Sequence, residues 1–245
     1  MIRRLAAVVA SVLFAACGGL NPSTGPDKSL TVFAASSLQP PFQRIGSPSV
    51  VTSITFNFAG TQTLTSQLIE GADADVFAAA DTEHMKQLES AGLLEGQSRV
   101  FAHNSLEIAV APGNPKGIRD LRDLARPGLV VVLADPSVPA GKYAKQALDR
   151  AGVKFQAASL EPQVTGVLSK VSLGEADAGV VYVSDVVSSG KVAGVRIPDA
   201  DNVIADYTIA VLKSSRNRAG ANAFIDVVLS GAGQTVLLAA GFRGV

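Results

Sequence analysis

The chain reads as an α/β protein with largely parallel sheets covered by helices on both faces. Three observations predict this. Short β-branched apolar runs alternate with helix-period stretches along the chain. The strands are continuously apolar, as strands buried on both faces are. The helical stretches carry their own end signals. Of 245 residues, 47% are hydrophobic and 17% charged, with no tryptophan, so Val, Ala, Leu and Ile must fill the core.

The first strand is read in SLTVFAA, the second in SITFNFAG and the third in ADVFAAA; SLEIAVAP, LVVVLAD, DAGVVYV and YTIAVLK follow in the same style. Helices are expected over 62–70, 82–91, 141–151, 164–173 and 217–240. Asp81 opens DTEHMKQLESAGL as an N-cap, with Glu83 in the first turn and Gly92 closing it. Gly152 and Gly174 close two more helices. Pro40 and Pro41 belong in the first turn of the helix after the first strand, where a missing N–H is tolerated.

The N-terminus reads as a targeting segment. MIRRLAAVVASVLFAAC has two arginines, a short apolar run and small residues before Cys17. The run is too short for a convincing membrane span and fits a secretion signal over 1–16. GGLNPSTGPDKS then reads as a flexible tether over 17–29. LFAAC resembles a bacterial lipoprotein signal with Cys17 lipidated, although Phe14 sits where leucine is usual; plain secretion is the alternative. Cys17 is the only cysteine, so no intramolecular disulfide can form. Lysine plus arginine equals aspartate plus glutamate at 21 each, a balance that argues against a nucleic-acid partner.

Catalytic chemistry is sparse. His84 and His103 have no second histidine or cysteine at metal-ligand spacing, and no nucleophile elbow or dinucleotide fingerprint occurs. PSVPAGKY lacks the leading glycine and following hydroxyl of a phosphate loop. No metal ligands and no cofactor are expected, and the chain is read as a non-enzyme.

A different pattern recurs. AASSL (34–38), FAGTQTL (58–64), PSVPAG (136–141) and EPQVTGVL (161–168) each join a strand or turn to a helix start, and none contains Lys or Arg. First-turn N–H groups lack intrahelical partners and carry partial positive charge, so converging helix starts can hold an anion with neutral donors. The same residues also serve as ordinary N-caps, and spacing alone leaves both readings open.

LTVFAASSL, FAGTQTLTSQLIEGADADVFAAAD, VPAGKYAKQAL and GEADAGVVYVSD resemble, in order, the motifs of the periplasmic molybdate-binding proteins of ABC importers, with a resemblance that covers residues 30–245. It implies a type II, two-lobed periplasmic-binding-protein fold with two mixed or parallel sheets and two hinge crossovers, near SLEIAVAPG and DYTIAVLK. Residues 30–110 plus 209–245 would form one lobe and 111–208 the other. It further implies a molybdate or tungstate ligand bound as an oxyanion in the interlobe cleft. Ser37 matches the family serine, Ala140 and Val164 match backbone donors, and Tyr182 matches the tyrosine whose hydroxyl reaches the ion. Where relatives carry a second serine, that register places Gln62, with Thr61 or Thr63 as alternative hydroxyl donors. The implied partners are an ABC permease and its ATPase, with a monomer anchored by Cys17 to the outer face of the cell membrane or free in the periplasm. Another oxyanion such as sulfate, or an exported hydrolase built around Ser36, Ser37 or Tyr182, stand as alternatives.

Overall fold

Apolar pairing along two long strands organises the molecule. The computed structural model describes residues 29–245; the signal segment, Cys17 and nearly all of the tether lie outside the described residues. In chain order the elements are β1 (Ser29–Ala35), α1 (Gln39–Arg44), β2 (Ser53–Ala59), α2 (Thr61–Ile69), β3 (Val76–Ala79), α3 (Glu83–Ser90) and β4 (Leu94–Val110). Then come β5 (Val131–Ala134), α4 (Pro139–Arg150), β6 (Ser159–Glu161), α5 (Val164–Ser172), β7 (Ala178–Tyr182) and α6 (Val183–Ser189). The chain ends with β8 (Ala193–Arg196), β9 (Ile204–Leu212), α7 (Arg218–Leu229) and α8 (Gly231–Ala239).

The strand order is β2-β1-β3-β9-β4-β7-β5-β6, with β8 also on β4. β1 pairs parallel with β2 and β3, and β5 pairs parallel with β6 and β7. The pairs of β4 and of β9 are antiparallel, so the sheets are mixed. β4 pairs with β9 as far as Ser105↔Ile204 and with β7 from Leu106↔Tyr182 onward. One strand therefore changes partners between adjacent residues and carries the chain from one half of the sheet to the other.

The core spans that crossover. Phe42 of α1 lies against Phe56, Phe101 and Phe224, with ring centroids 5.6–6.2 Å apart. A second cluster, including Phe33, Leu64, Leu68, Phe77, Met85 and Leu88, packs α2 and α3 onto the outer face of β1 and β3. Helix ends follow local chemistry. Gly92, Gly152 and Gly174 all take positive φ just beyond α3, α4 and α5, as the sequence predicts. Asp81 accepts the His84 N–H at 3.0 Å at the start of α3.

Three expectations change. The single helix read over 217–240 is two, α7 and α8, bent by 60°, because Ser230 is extended and caps α8 by accepting the Gly233 N–H. VSDVVSS, unread as a helix because it is β-branched, forms α6, and the short edge strands β6 and β8 carried no apolar run to announce them.

In the first turn of α6, the buried carboxylate of Asp185 accepts the Tyr182 N–H at 3.0 Å. Burial, opposed in part by that hydrogen bond, raises its pKa from 3.8 to about 7. A carboxyl that holds its proton more tightly when folded contributes stability that is complete below the unfolded value and lost as pH rises to the folded one. We predict that Asp185→Asn gains stability relative to the unsubstituted protein by up to about 4 kcal/mol between pH ~4 and ~7, then levels off. Urea unfolding across that range checks this, and a constant difference would contradict it.

Candidate functional site

The four junctions without Lys or Arg meet. Ser36 and Ser37, Gly60 and Thr61, Val138 to Ala140, and Val164 line one small cavity, together with Ala35, Ala80 and Tyr182. Ser37 and Thr61 come from the β1–β3 half; Ala140, Val164 and Tyr182 come from the starts of α4 and α5 and the end of β7. All five are at most 3% exposed. The cavity is far smaller than the roughly 300–1,000 Å³ of organic-ligand pockets. It suits a small ion. No lysine, arginine, histidine or carboxylate is among its lining residues.

Capping separates the two readings that spacing left open. The turn at Ser36–Leu38, α1, α2, α4 and α5 have no side-chain cap hydrogen bond. Away from the cavity, side chains do cap: Asp120 at the turn Leu121–Ala125, Asn217 at α7 and Ser230 at α8. The turn at Ser36–Leu38 and the starts of α2, α4 and α5 face the cavity; α1, also bare, gives it no lining residue. First-turn N–H groups kept free of internal acceptors are donors available to an anion.

Tyr182 adds a hydroxyl. Its oxygen is buried and has no hydrogen-bond partner, a state that costs roughly 1–3 kcal/mol unless a ligand satisfies it. Burial, with Tyr207 beside it, pushes the phenol well above its ordinary pKa, so it stays a donor. Thr61 Oγ1 accepts the Ala80 N–H at 3.2 Å, which leaves its own proton for the cavity. Ser37 Oγ and the Tyr207 hydroxyl lie 2.8 Å apart.

Gln62 is placed differently from the other assigned residues. It is not among the lining residues. One helical step past Thr61 turns its side chain out of the cavity, where Nε2 donates to the Pro162 carbonyl at 2.8 Å and to Thr63 Oγ1 at 3.3 Å. Its Oε1 is buried and unpartnered. Gln62 thus ties the start of α2 to the loop before α5, over the mouth. The close approach needs Gly60: a Cβ there would lie 2.6 Å from the Gln62 amide and from Pro162 O. Close by, Lys142 of α4 pairs with Glu83 of α3.

Sequence reasoning missed Tyr207, whose one signal is a phenol inside an apolar strand, and the Pro162 carbonyl, which has none. The two histidines lie elsewhere, His84 on Asp81 at 2.9 Å and His103 on Asp206 at 2.7 Å. Among the described residues no cluster of three or more His, Cys, Asp or Glu could hold a metal ion. A larger depression at the far end of β1 is lined by Asp73, Asp75 and Arg216, with Arg216 paired to Asp73 at 3.0 Å.

Comparison with known proteins agrees with the geometry. Residues 30–243 match the family model of the bacterial extracellular solute-binding proteins. The molybdate-binding protein ModA of Mycobacterium tuberculosis H37Rv is 45% identical over 240 residues, covering 93% of this chain and 91% of that protein. ModA of Haemophilus influenzae is 30% identical, covering 98% and 99%. The substrate-binding domain of a putative molybdenum ABC transporter from Clostridium difficile superposes with a TM-score of 0.65 at 27% identity, covering 89% of this chain and 99% of that one. The Azotobacter vinelandii periplasmic molybdate-binding protein gives 0.74 at 19%, covering 87% and 98%, a likeness of fold. The chain belongs to the bacterial extracellular solute-binding protein family, in the group that holds the mycobacterial ModA proteins.

Proposed function

We propose that this protein captures molybdate, and tungstate with it, as a fully ionised oxyanion and hands it to an ABC importer. The observation that carries this reading is the set of uncapped helix starts converging with the unpartnered Tyr182 hydroxyl on one cation-free cavity. The ModA relatives support the choice of ion. Ser37, Thr61 and Tyr182 supply hydroxyls; Ala140 and Val164 supply backbone N–H groups; Gln62 closes the mouth. Each hydrogen bond to the charged ion contributes roughly 1.5–3 kcal/mol, so several neutral donors suffice without a countercharge.

The ion is cargo, with no resident cofactor needed. Ser37 is bonded to a phenol and not to a base, which favours binding over hydrolysis. The lobes read as 30–110 plus 209–245 and 111–208, with β4 and β9 as the crossovers. Closure on the ion would present a form that a permease recognises, while its ATPase drives transport. Residues 1–16 serve as the export signal in this reading, and a lipidated Cys17 would tether a monomer to the outer face of the membrane. A 28% identical putative substrate-binding lipoprotein of Bacillus subtilis is consistent with that anchor.

Two experiments test the reading. Thermal unfolding of residues 29–245 with molybdate or tungstate at a hundred times the dissociation constant should raise Tm by roughly 5–10 °C, while phosphate does not. An equal shift with sulfate would make this a sulfate binder, and no shift with any of them would remove the assigned ligand. Gly60→Ala should weaken molybdate binding by about tenfold or more, because the added methyl collides with Gln62 and Pro162 O only when the mouth is shut. Its Tm without ligand should hardly change; unaltered affinity would show that the mouth does not close on the ion.

A further inference from the structure

A second cavity lies between the two halves. Ser36 and Gln39 border it from the junction of β1 and α1, while Thr165 of α5 and Asp185 and Ser188 of α6 border it from the other side. Ser36 also lines the oxyanion cavity, so the two spaces share a wall. Their linings are opposite in character. The oxyanion cavity offers bare first-turn N–H groups and no carboxylate. The second cavity sets neutral side-chain oxygens around a carboxylate, with no lysine, arginine or histidine among its lining residues.

Two of these groups are short of partners. Asp185 is 4% exposed, and its carboxylate accepts the Tyr182 N–H at 3.0 Å. Burial raises its pKa to about 7, opposed only by that hydrogen bond, so no basic side chain compensates the ionised form. Ser188 Oγ is buried and has no hydrogen-bond partner. A buried charge calls for a counter-ion, and a buried hydroxyl for a partner. One cation bound by both would answer the two needs together. Hard cations take oxygen ligands; calcium sites gather several carboxylates, and magnesium keeps most of its water. One carboxylate among neutral oxygens matches a single positive charge.

We propose that this cavity binds an alkali-metal cation, sodium or potassium, held by Asp185 and Ser188 with Thr165, Ser36 and Gln39, and that the cation fastens the two halves together beside the oxyanion cavity. It lies across the Ser36 wall and makes no contact with the oxyanion. The inference rests on the reading above that the halves shut on the oxyanion, and it adds a second ligand for the same shut form. Two ligands that favour one form strengthen each other's binding by the same factor.

The test measures molybdate affinity in mildly alkaline buffer containing choline, sodium or potassium chloride at one ionic strength, with molybdate added as its choline salt. Sodium or potassium should raise the affinity about fivefold or more over choline, and the better of the two identifies the ion. Asp185→Asn removes the charge while its carboxamide oxygen still accepts the Tyr182 N–H. It should keep the affinity seen in choline and lose the response to the alkali cation. Ser188→Ala should weaken that response. Equal affinity in all three salts overturns the inference and leaves the proposed function standing. A full response in Asp185→Asn would be a general effect of salt and also overturns it, as does an unweakened response in Ser188→Ala. A response to calcium or magnesium but to neither alkali cation would overturn the assignment of a single charge. Absence of molybdate binding in every salt would remove the proposed function, and the coupling with it.

Discussion

A doubly charged ion held without a countercharge must replace its hydration with donors that have nothing else to bond, and the rest of this structure depends on that constraint. A buried anion facing satisfied groups would cost far more than the fold can supply. The chain meets the constraint by leaving helix starts bare where they face the cavity and capping others with Asp120, Asn217 and Ser230. Small residues at the four junctions follow from the same need, because backbone N–H groups reach an ion only where no side chain intervenes. Gly141 shows how tight this is: a Cβ there would lie 2.1 Å from the Asp135 carbonyl, so α4 can start against the end of β5 only with glycine.

Position comes from the crossover. β4 binds β9 up to Ser105 and β7 from Leu106, which places Tyr182 at the seam opposite Ser37. Tyr207 stands at the same seam, between the serine of one half and the tyrosine of the other. Aromatic contacts through Phe101 and Phe242 fix its ring without restricting the hydroxyl. The contacts that span the mouth, Gln62 with Pro162 and Lys142 with Glu83, join opposite halves directly. A shut form stabilised by such contacts needs less from the ion, which then acts by shifting a population.

Much of this was legible in the sequence because its causes are local. Continuous apolar runs gave the strands, glycines gave the helix ends, and the junctions without Lys or Arg at 34–38, 58–64, 136–141 and 161–168 are the segments that meet. What could not be read there depends on distance or on one-residue geometry. SLEIAVAP shows only the end of β4; the polar first half, with its register shifts, has no strand pattern. The Tyr207–Ser37 contact joins residues 170 apart. Gln62 and Thr61 are neighbours in the chain, yet about 100° of helical rotation puts one over the mouth and the other in the cavity. The family register placed Gln62 at the ion with Thr61 as an alternative hydroxyl donor, and of the two Thr61 is the one that lines the cavity.

The central claim is that neutral, already protonated donors hold a fully ionised anion. Calorimetric titration of molybdate in mildly alkaline buffers of different ionisation enthalpy measures both the stoichiometry and the protons exchanged on binding. The account predicts one ion per chain and no net proton uptake or release. Absence of saturable binding, or uptake approaching one proton per ion, would contradict it, because either the ion or a group beside it would then be carrying the charge compensation assigned here to hydrogen bonds.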